Sequence, residues 1–453
     1  MKLLHMADLH LGKSVHGRDL IEDQRHALNQ VAALARDEKP DALIIAGDVF
    51  DRAVPSTDAL KLFNEFIAAL KEQDPELCIA VIPGNHDSAQ RLAFLSGVLE
   101  GSGVYLRADP EDCAKPIILR SGAALGHTLR LWLLPFLTPG CLAAEASVLP
   151  GSNALRQAEE APPPERDADL GELFASATAA AISLSAPITE DPQAEPRLLR
   201  TQDELSREAL ARIALARAEL DELDTIDGRK PEGSAGTLGR SLDVLVCHAF
   251  AAGALGSDSE RVFLGAAELV DAALFDSFDY VALGHLHRPQ VAGLRGRYPG
   301  SLLQYSFADA AGERGCLVVE LGEREADGPI TSFVTLEPLR RMSRIEGSLD
   351  ELLGDDRFKA IEGDYVEALL RDGEGVLNPM DVLRTRFPWI LSLRLSAAAG
   401  DFGGQAATVE PVQARNVLDD FRDFYRELKG ESPDEAVEAL FLALAEEAGR
   451  EAD

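Results

Sequence analysis

The chain has 453 residues, 44 Lys and Arg against 77 Asp and Glu, a formal net charge of -33, and is 46% hydrophobic and 27% charged. That composition suits roughly two to four packed domains and excludes a disordered chain, a collagen and a disulfide miniprotein. Acidity spread along the chain argues against a protein that grips nucleic acid by its own net charge. No apolar run approaches the ~18 residues of a membrane span, and a carboxylate as early as Asp8 does not suit a signal peptide. Five cysteines (Cys78, Cys113, Cys141, Cys247, Cys316) without a Cys-x-x-Cys pair predict reduced thiols in a cytoplasm and no thiolate zinc site.

Lys2–Met6 reads as a short apolar strand ending in a polar loop. Residues 23–36 have helical spacing of Leu28, Val31, Ala32 and Leu34. Ala42–Ala46 predicts a buried strand running into Gly47-Asp48, and 57–70 a helix capped by Thr57, with Leu60, Phe63, Ile67 and Leu70 on one face. Cys78–Ile82 predicts a further strand ending at Pro83-Gly84. Alternating apolar strands and helices imply a parallel or mixed sheet, with the polar residues that follow each strand gathered on one rim.

Residues 151–240 differ, and read as an acidic insert. They hold Pro162-Pro163-Pro164, an Ala/Ser run over 175–186, a helical pattern over 201–221 (Leu205, Ala209, Ile213, Ala216, Leu220) and a Gly-rich return over 228–239. Strands resume over 242–246, 280–283 and 316–321. Residues 341–396 read as a small α+β domain without chemical clusters, and 397–410 as an Ala/Gly-rich linker. In 411–453, Val417, Leu418, Phe421, Phe424, Tyr425 and Leu428 form one helical stripe. Val437, Leu440, Phe441 and Leu444 form another, behind the capping box Ser432-Pro433-Asp434-Glu435. Such stripes pack on each other or fill a groove on a partner.

Five of the nine histidines carry the chemistry, while His5, His16, His26 and His127 read as structural or surface residues. Asp8-Leu9-His10 puts two ligand-type side chains on one side of an extended segment. Gly47-Asp48-Val49-Phe50-Asp51 sets a carboxylate at a strand end, Gly84-Asn85-His86-Asp87 an amide, an imidazole and a carboxylate in one turn, and Cys247-His248 an imidazole at another strand end. Gly284-His285-Leu286-His287 repeats the alternating pair with two imidazoles. Any one of these suits an ordinary turn or a core histidine. Together, at successive strand ends, they predict a dinuclear metal site of oxygen and nitrogen donors.

This order of clusters resembles the calcineurin-like metallophosphoesterases. LLHMADLHLG (3–12), AGDVFD (46–51), VIPGNHD (81–87), DYVALGHLHRPQ (279–290) and YPGSLLQYSF (298–307) are similar to the SbcD branch of that superfamily. The resemblance is strong over 1–140 and 241–340 and general beyond. The long interval between His86 and His248 and the net acidity depart from it without touching a ligand position.

The resemblance implies an α/β fold. A sheet sandwich with helices over 1–340 would be followed by a capping domain over 341–396 and partner-binding helices over 411–453. It implies two divalent ions, manganese above all. Asp8, His10 and His287 would hold one, Asn85, His248 and His285 the other, and Asp48 would bridge. His86 would be a catalytic acid rather than a ligand. Asp87 would orient that ring or cap the residues after it, and Asp51 would support the site or cap a helix. The implied activity is Mn-dependent exonuclease and endonuclease action on duplex ends and hairpins in DNA repair, recombination and replication. The implied partner is a coiled-coil SbcC-type ATPase, in a heterotetramer built on a nuclease homodimer. Two alternatives are a stand-alone phosphoesterase acting on a small nucleotide or phosphoprotein, and a non-catalytic scaffold for the ATPase.

Overall fold

The computed structural model describes residues 1–94, 96–120, 127–142, 201–226, 241–252, 269–309, 312–322, 329–372 and 376–395, and Glu438 alone beyond them. Three short buried strands start the first sheet: β1 (Lys2–Met6), β2 (Ala42–Ala46) and β3 (Cys78–Ile82). They run parallel, with Leu3 opposite Ala42 and Ala42 opposite Cys78, joined by the crossover helices α1 (Ile21–Glu38) and α2 (Thr57–Gln73). β4 (Val104–Leu106) extends this parallel set.

The second sheet takes β5 (Ile117–Arg120), β6 (Thr128–Leu134), β7 (Ser241–His248), β8 (Tyr280–Gly284), β9 (Gln290–Ala292) and β10 (Gly296–Tyr298), in the order β9-β10-β8-β7-β6-β5. The chain then returns to the first sheet. β11 (Gly315–Glu320) pairs antiparallel with β1, and β12 (Ile330–Thr335) completes the order β12-β11-β1-β2-β3-β4.

Strand alternation sorts the core into layers. Leu3, Ile44 and Ala80 meet Leu131, Val244 and Ala282 between the two sheets. Leu4, Ile45 and Val81 face Leu28, Val31, Leu62 and Phe66 of the two helices. Trp132, Leu245 and Leu283 face Leu205, Ala209 and Ile213 of α3 (Gln202–Ile226). His5 Nδ1 and the Tyr280 hydroxyl form a polar tie across the sandwich at 2.7 Å.

Three expectations change in detail. α2 is capped by Ser56, whose Oγ accepts from Ala59 N at 3.2 Å, rather than by Thr57. Its buried face is Ala59, Leu62, Phe66 and Leu70, while Leu60 is exposed. Both apolar stripes share this helix, and the sheet takes the one that carries Phe66. The helix placed inside an insert over 151–240 is a structural layer. Arg217 of α3 lies 3.1 Å from Asp243 and Asp221 of α3 lies 2.9 Å from Arg130, both partners being in the second sheet, and Trp132 Nε1 donates to Asp243 at 2.8 Å. The remainder of that stretch, 151–200 and 227–240, lies outside the described residues.

A small three-stranded parallel sheet follows: β13 (Met342–Gly347), β14 (Tyr365–Leu370) and β15 (Ile390–Leu395), with α4 (Leu349–Gly354) and α5 (Pro379–Arg384). It has its own core of Ile345, Leu352, Val366, Leu370, Leu383 and Phe387. A Ser348–Glu351 capping box starts α4. This sheet docks on α1 through the Tyr365 hydroxyl, which donates to Asp23 at 2.7 Å, and through Arg340, which lies 3.9 Å from the Trp389 ring centroid and 3.3 Å from Asp23. Linker 397–410 and both C-terminal stripes lie outside the described residues. Among the described residues, no helix is long and apolar enough to cross a membrane.

Candidate metal centre

β1, β2, β3, β7 and β8 all end at the same rim, and the sequence clusters follow directly from their ends. The backbone there is bent rather than extended. Asp8 (φ 54°), His10 (φ 41°) and Asp48 (φ 49°) lie in the left-handed region, and His285 has φ 106°. The expected alternation of Asp8 with His10, and of His285 with His287, is therefore not what brings them together. Left-handed turns throw the side chains back over the strand ends. Such conformations cost about 1–3 kcal/mol each and persist where surrounding contacts over-determine them. Here the 8–11 segment is laced to the 47–49 loop: Asp8 N to Gly47 O at 3.1 Å, His10 N to Asp48 O at 2.9 Å, Leu11 N to Val49 O at 2.9 Å.

Two glycines allow this closeness. A Cβ on Gly47 (φ +92°) would lie 2.2 Å from His248 Nδ1, and one on Gly284 would lie 1.8 Å from the Ala46 carbonyl oxygen. Gly284→Ala is expected to destabilise the fold by about 3 kcal/mol, read as a lowered denaturation midpoint with unchanged slope. An unchanged midpoint would show that the rim relaxes around the extra methyl.

The side chains converge. His10 Nε2 lies 3.0 Å from His287 Nε2, and single donor atoms of Asp8, His10 and His287 fall within 4.8 Å of one another. Asp8, Asp48 and His248 form a second such group, and His10, Asp48 and His86 a third. Asp48 Oδ2 is 3.4 Å from His248 Nε2 and 3.6 Å from His10 Nε2. Asn85 Oδ1 is 3.1 Å from His248 Nε2 and 3.2 Å from His285 Nδ1. The His285 backbone N–H donates to Asp8 at 3.0 Å. Every residue of the expected ligand set is therefore present at the rim, and His86 lies beside it.

Electrostatics suit a cation. Burial pushes His287 down to about 3, His285 to about 4 and His10 well below its ordinary range, so these rings are neutral at physiological pH with lone pairs available. Burial also works against charge on Asp48, but the neighbouring His248 and His10 outweigh it and hold the carboxylate well below its usual range. At His248 burial is likewise outweighed by Asp48, and the ring rises to about 9. His248 Nδ1 donates to Ala46 O at 2.8 Å, so its Nε2 faces the oxygens of Asn85 and Asp48. Acceptors crowded in this way need a proton or a metal ion between them. His10 Nδ1 is buried with no hydrogen-bond partner. Divalent ions fit this donor set, with nitrogen and oxygen ligands and no thiolate. The one cysteine alongside, Cys247, points into the outer core, where burial pushes its thiol far up.

Asp87 needs correcting. It neither orients His86 nor caps a helix: its carboxylate accepts from Val49 N (2.9 Å), Phe50 N (2.8 Å) and Gly84 N (3.0 Å). It clamps the Asp48 loop to the Asn85 turn. Burial, then the nearby Asp48 charge, raise it to about 6. His86 is held by Asp51 instead, its Nδ1 donating to the Asp51 backbone carbonyl at 3.1 Å.

Sequence reasoning missed several supports. Gln24 donates to His10 O at 2.7 Å and accepts from Gly12 N at 3.0 Å. Tyr305 stands edge-on to His10, with ring centroids 5.5 Å apart, Phe136 stacks on His285 at 6.5 Å, and Arg314 donates to the His287 carbonyl. Only Tyr305, inside the 298–307 motif, had a signal in the chain.

Comparison with known proteins agrees with this geometry. Residues 1–123 match the calcineurin-like phosphoesterase family. The chain is 26% identical to the D subunit of nuclease SbcCD from Staphylococcus saprophyticus subsp. saprophyticus over 460 residues, 99% of this chain and 100% of that protein. It is 29% identical to the D subunit of nuclease SbcCD from Staphylococcus epidermidis over 395 residues, 87% of this chain and 85% of that protein. Among solved structures, that of TT1561 from Thermus thermophilus aligns with 73% of this chain and 98% of its own, at 13% identity and a TM-score of 0.33. Residues 1–123 thus resemble the calcineurin-like phosphoesterases, and the two relatives named, which align with most of the chain, are D subunits of SbcCD nucleases.

Proposed function

We propose that the chain is the metal-dependent nuclease subunit of a DNA-processing complex, cutting phosphodiesters at duplex ends and in hairpins while a coiled-coil ATPase of the SbcC kind presents the DNA. The observation that carries this reading is the convergence of Asp8, His10, Asp48, Asn85, His248, His285 and His287 on one rim, with His86 beside them. The names of the two relatives support it. Asp8, His10 and His287 would hold one ion, Asn85, His248 and His285 a second, and Asp48 would serve both. Manganese suits this donor set. Ions bound there supply positive charge to the phosphate oxygens and a more acidic water.

The chain's own residues do the rest. Asp87 keeps the Asp48 loop and the Asn85 turn in one arrangement. His86, with Nδ1 committed to the Asp51 carbonyl, has Nε2 to carry a proton to the departing sugar oxygen. The test is cleavage of a hairpin and a blunt duplex with Mn²⁺, with and without the ATPase. Failure to cut either with the partner present, under Mn²⁺, Fe²⁺, Mg²⁺ and Zn²⁺ in turn, would sink the reading.

The C-terminal stripes are the proposed handle for the ATPase, in an assembly of two nuclease and two ATPase chains. Phe421, Phe424, Leu440 and Phe441 would each bury an apolar side chain worth ~1.5–3 kcal/mol. Truncation after Gly400 removes all four and no proposed ligand. It is expected to abolish co-purification with the ATPase and cutting of long duplex, since a net charge of -33 works against holding the phosphate backbone without the partner. Hydrolysis of a small phosphodiester should persist. A truncated chain that still co-purifies would place these helices in the ordinary core.

A further inference from the structure

The ring of His86 lacks the carboxylate partner its sequence neighbour promised, because Asp87 is spent on three backbone N–H groups. Its orientation rests on the Asp51 backbone carbonyl, 3.1 Å from Nδ1. What fixes that carbonyl is then the question. The Asp51 N–H donates to Leu11 O at 3.2 Å. Residues 52–54 beyond it are exposed. On the side-chain side, Asp51 Oδ1 accepts from Lys13 Nζ at 2.6 Å, a charge-assisted contact with the carboxylate 12% and the ammonium 22% exposed.

Lys13 is itself well placed to hold rather than to swing. Its N–H donates to His10 O at 3.0 Å and its carbonyl accepts from Leu20 N at 3.2 Å. Its ammonium lies 5.4 Å from the Tyr305 ring centroid, and that ring's hydroxyl donates to Leu9 O. The same loop follows His10, so the anchor is built from the segment that carries two of the proposed ligands.

We propose that Lys13 is a positioning residue that, through Asp51, fixes the aim and tautomer of His86. The inference deepens the nuclease reading and relies on it only for the chemistry His86 performs. Lys13 touches no reacting atom. It pins the Asp51 peptide, the Asp51 carbonyl keeps the proton on Nδ1, and Nε2 is the nitrogen left for proton transfer.

Two measurements on the full-length chain test it. The first is kinetic, with a small phosphodiester and Mn²⁺. Lys13→Met is expected to lower kcat roughly 10–100-fold, the scale of a modest misplacement, with KM and metal content unchanged, and Lys13→Arg to recover most of the loss. In a His86→Ala background Lys13→Met should cost nothing more, because both act on one step. The second needs no activity. In metal-free, ¹⁵N-histidine-labelled protein at pH ~8.5, where an ordinary imidazole is neutral, the His86 signal is the one absent from His86→Ala. It should report an Nδ1-protonated ring in the unmutated chain and a mixture of tautomers in Lys13→Met. Metal loss in Lys13→Met, an additive loss in the His86→Ala background, or an unchanged His86 ring signal would each overturn the proposal. A wild-type chain without phosphodiesterase activity would overturn the nuclease reading instead, and the ring measurement would still decide the role of Lys13.

Discussion

Asp48→Asn is expected to lower phosphodiester cleavage by at least roughly 10³-fold, the scale on which losing electrostatic stabilisation of a transition state costs an enzyme its rate. Asp48 touches three of the rim's other residues. One carboxylate oxygen faces His248 and His10, at 3.4 and 3.6 Å, and the other accepts the His86 backbone N–H at 2.9 Å. The amide keeps the shape and the contact to His86 but removes the charge shared between the two ligand groups. Bound metal should fall with activity, and thermal stability without metal should fall as well, since the carboxylate is held ionised by His248 and His10 and its loss leaves His248 without its charge partner. Metal analysis of purified protein beside the rate is the check. Two ions per chain and full activity in the variant would show that Asp48 is not the bridge.

His86→Ala separates chemistry from binding. The ring is adjacent to the ligands, its centroid 4.7 Å from that of His10, but its Nδ1 is committed to the Asp51 carbonyl. A lost proton donor typically costs about 10²–10⁴ in rate, and metal occupancy should stay near that of the unmutated chain. A substrate whose leaving group needs no proton, such as a nitrophenyl ester, should recover most of the loss. If the metal leaves with the ring, His86 is a ligand, and the group it forms with His10 and Asp48 is a binding site in its own right.

The chain announced its two clearest strands because they are short, wholly apolar and buried on both faces. Ala42–Ala46 and Cys78–Ile82 stand in the structure as the sequence marked them. The candidate ligands were legible because each lies at or just after the end of a strand. How they converge was not. Period-two alternation describes extended backbone, and nothing in Asp-Leu-His or His-Leu-His declares the left-handed turns at Asp8, His10 and His285. Asp87 misled for a related reason. A carboxylate next to an imidazole suggests a pair, whereas its real partners include N–H groups from a loop about 38 residues back, visible only once β2 and β3 lie side by side. α2 was placed correctly and faced wrongly, because it carries two apolar stripes and only the sheet beneath it chooses.

The pairing of β1 with β11 has a consequence for the making of the protein. Lys2 lies opposite Glu320, so a strand formed from the first residues of the chain takes one of its neighbours from residues translated far later. At 5–20 residues per second, about 300 residues separate these partners by roughly 15–60 s of synthesis. Through that interval one edge of Lys2–Met6 has no strand to meet, and open edges recruit other chains. The rim likewise lacks His248, His285 and His287 until the same late segment emerges. A nascent chain thus holds an open strand edge and a half-built candidate cation site together, and neither can close until residues 241–320 have emerged.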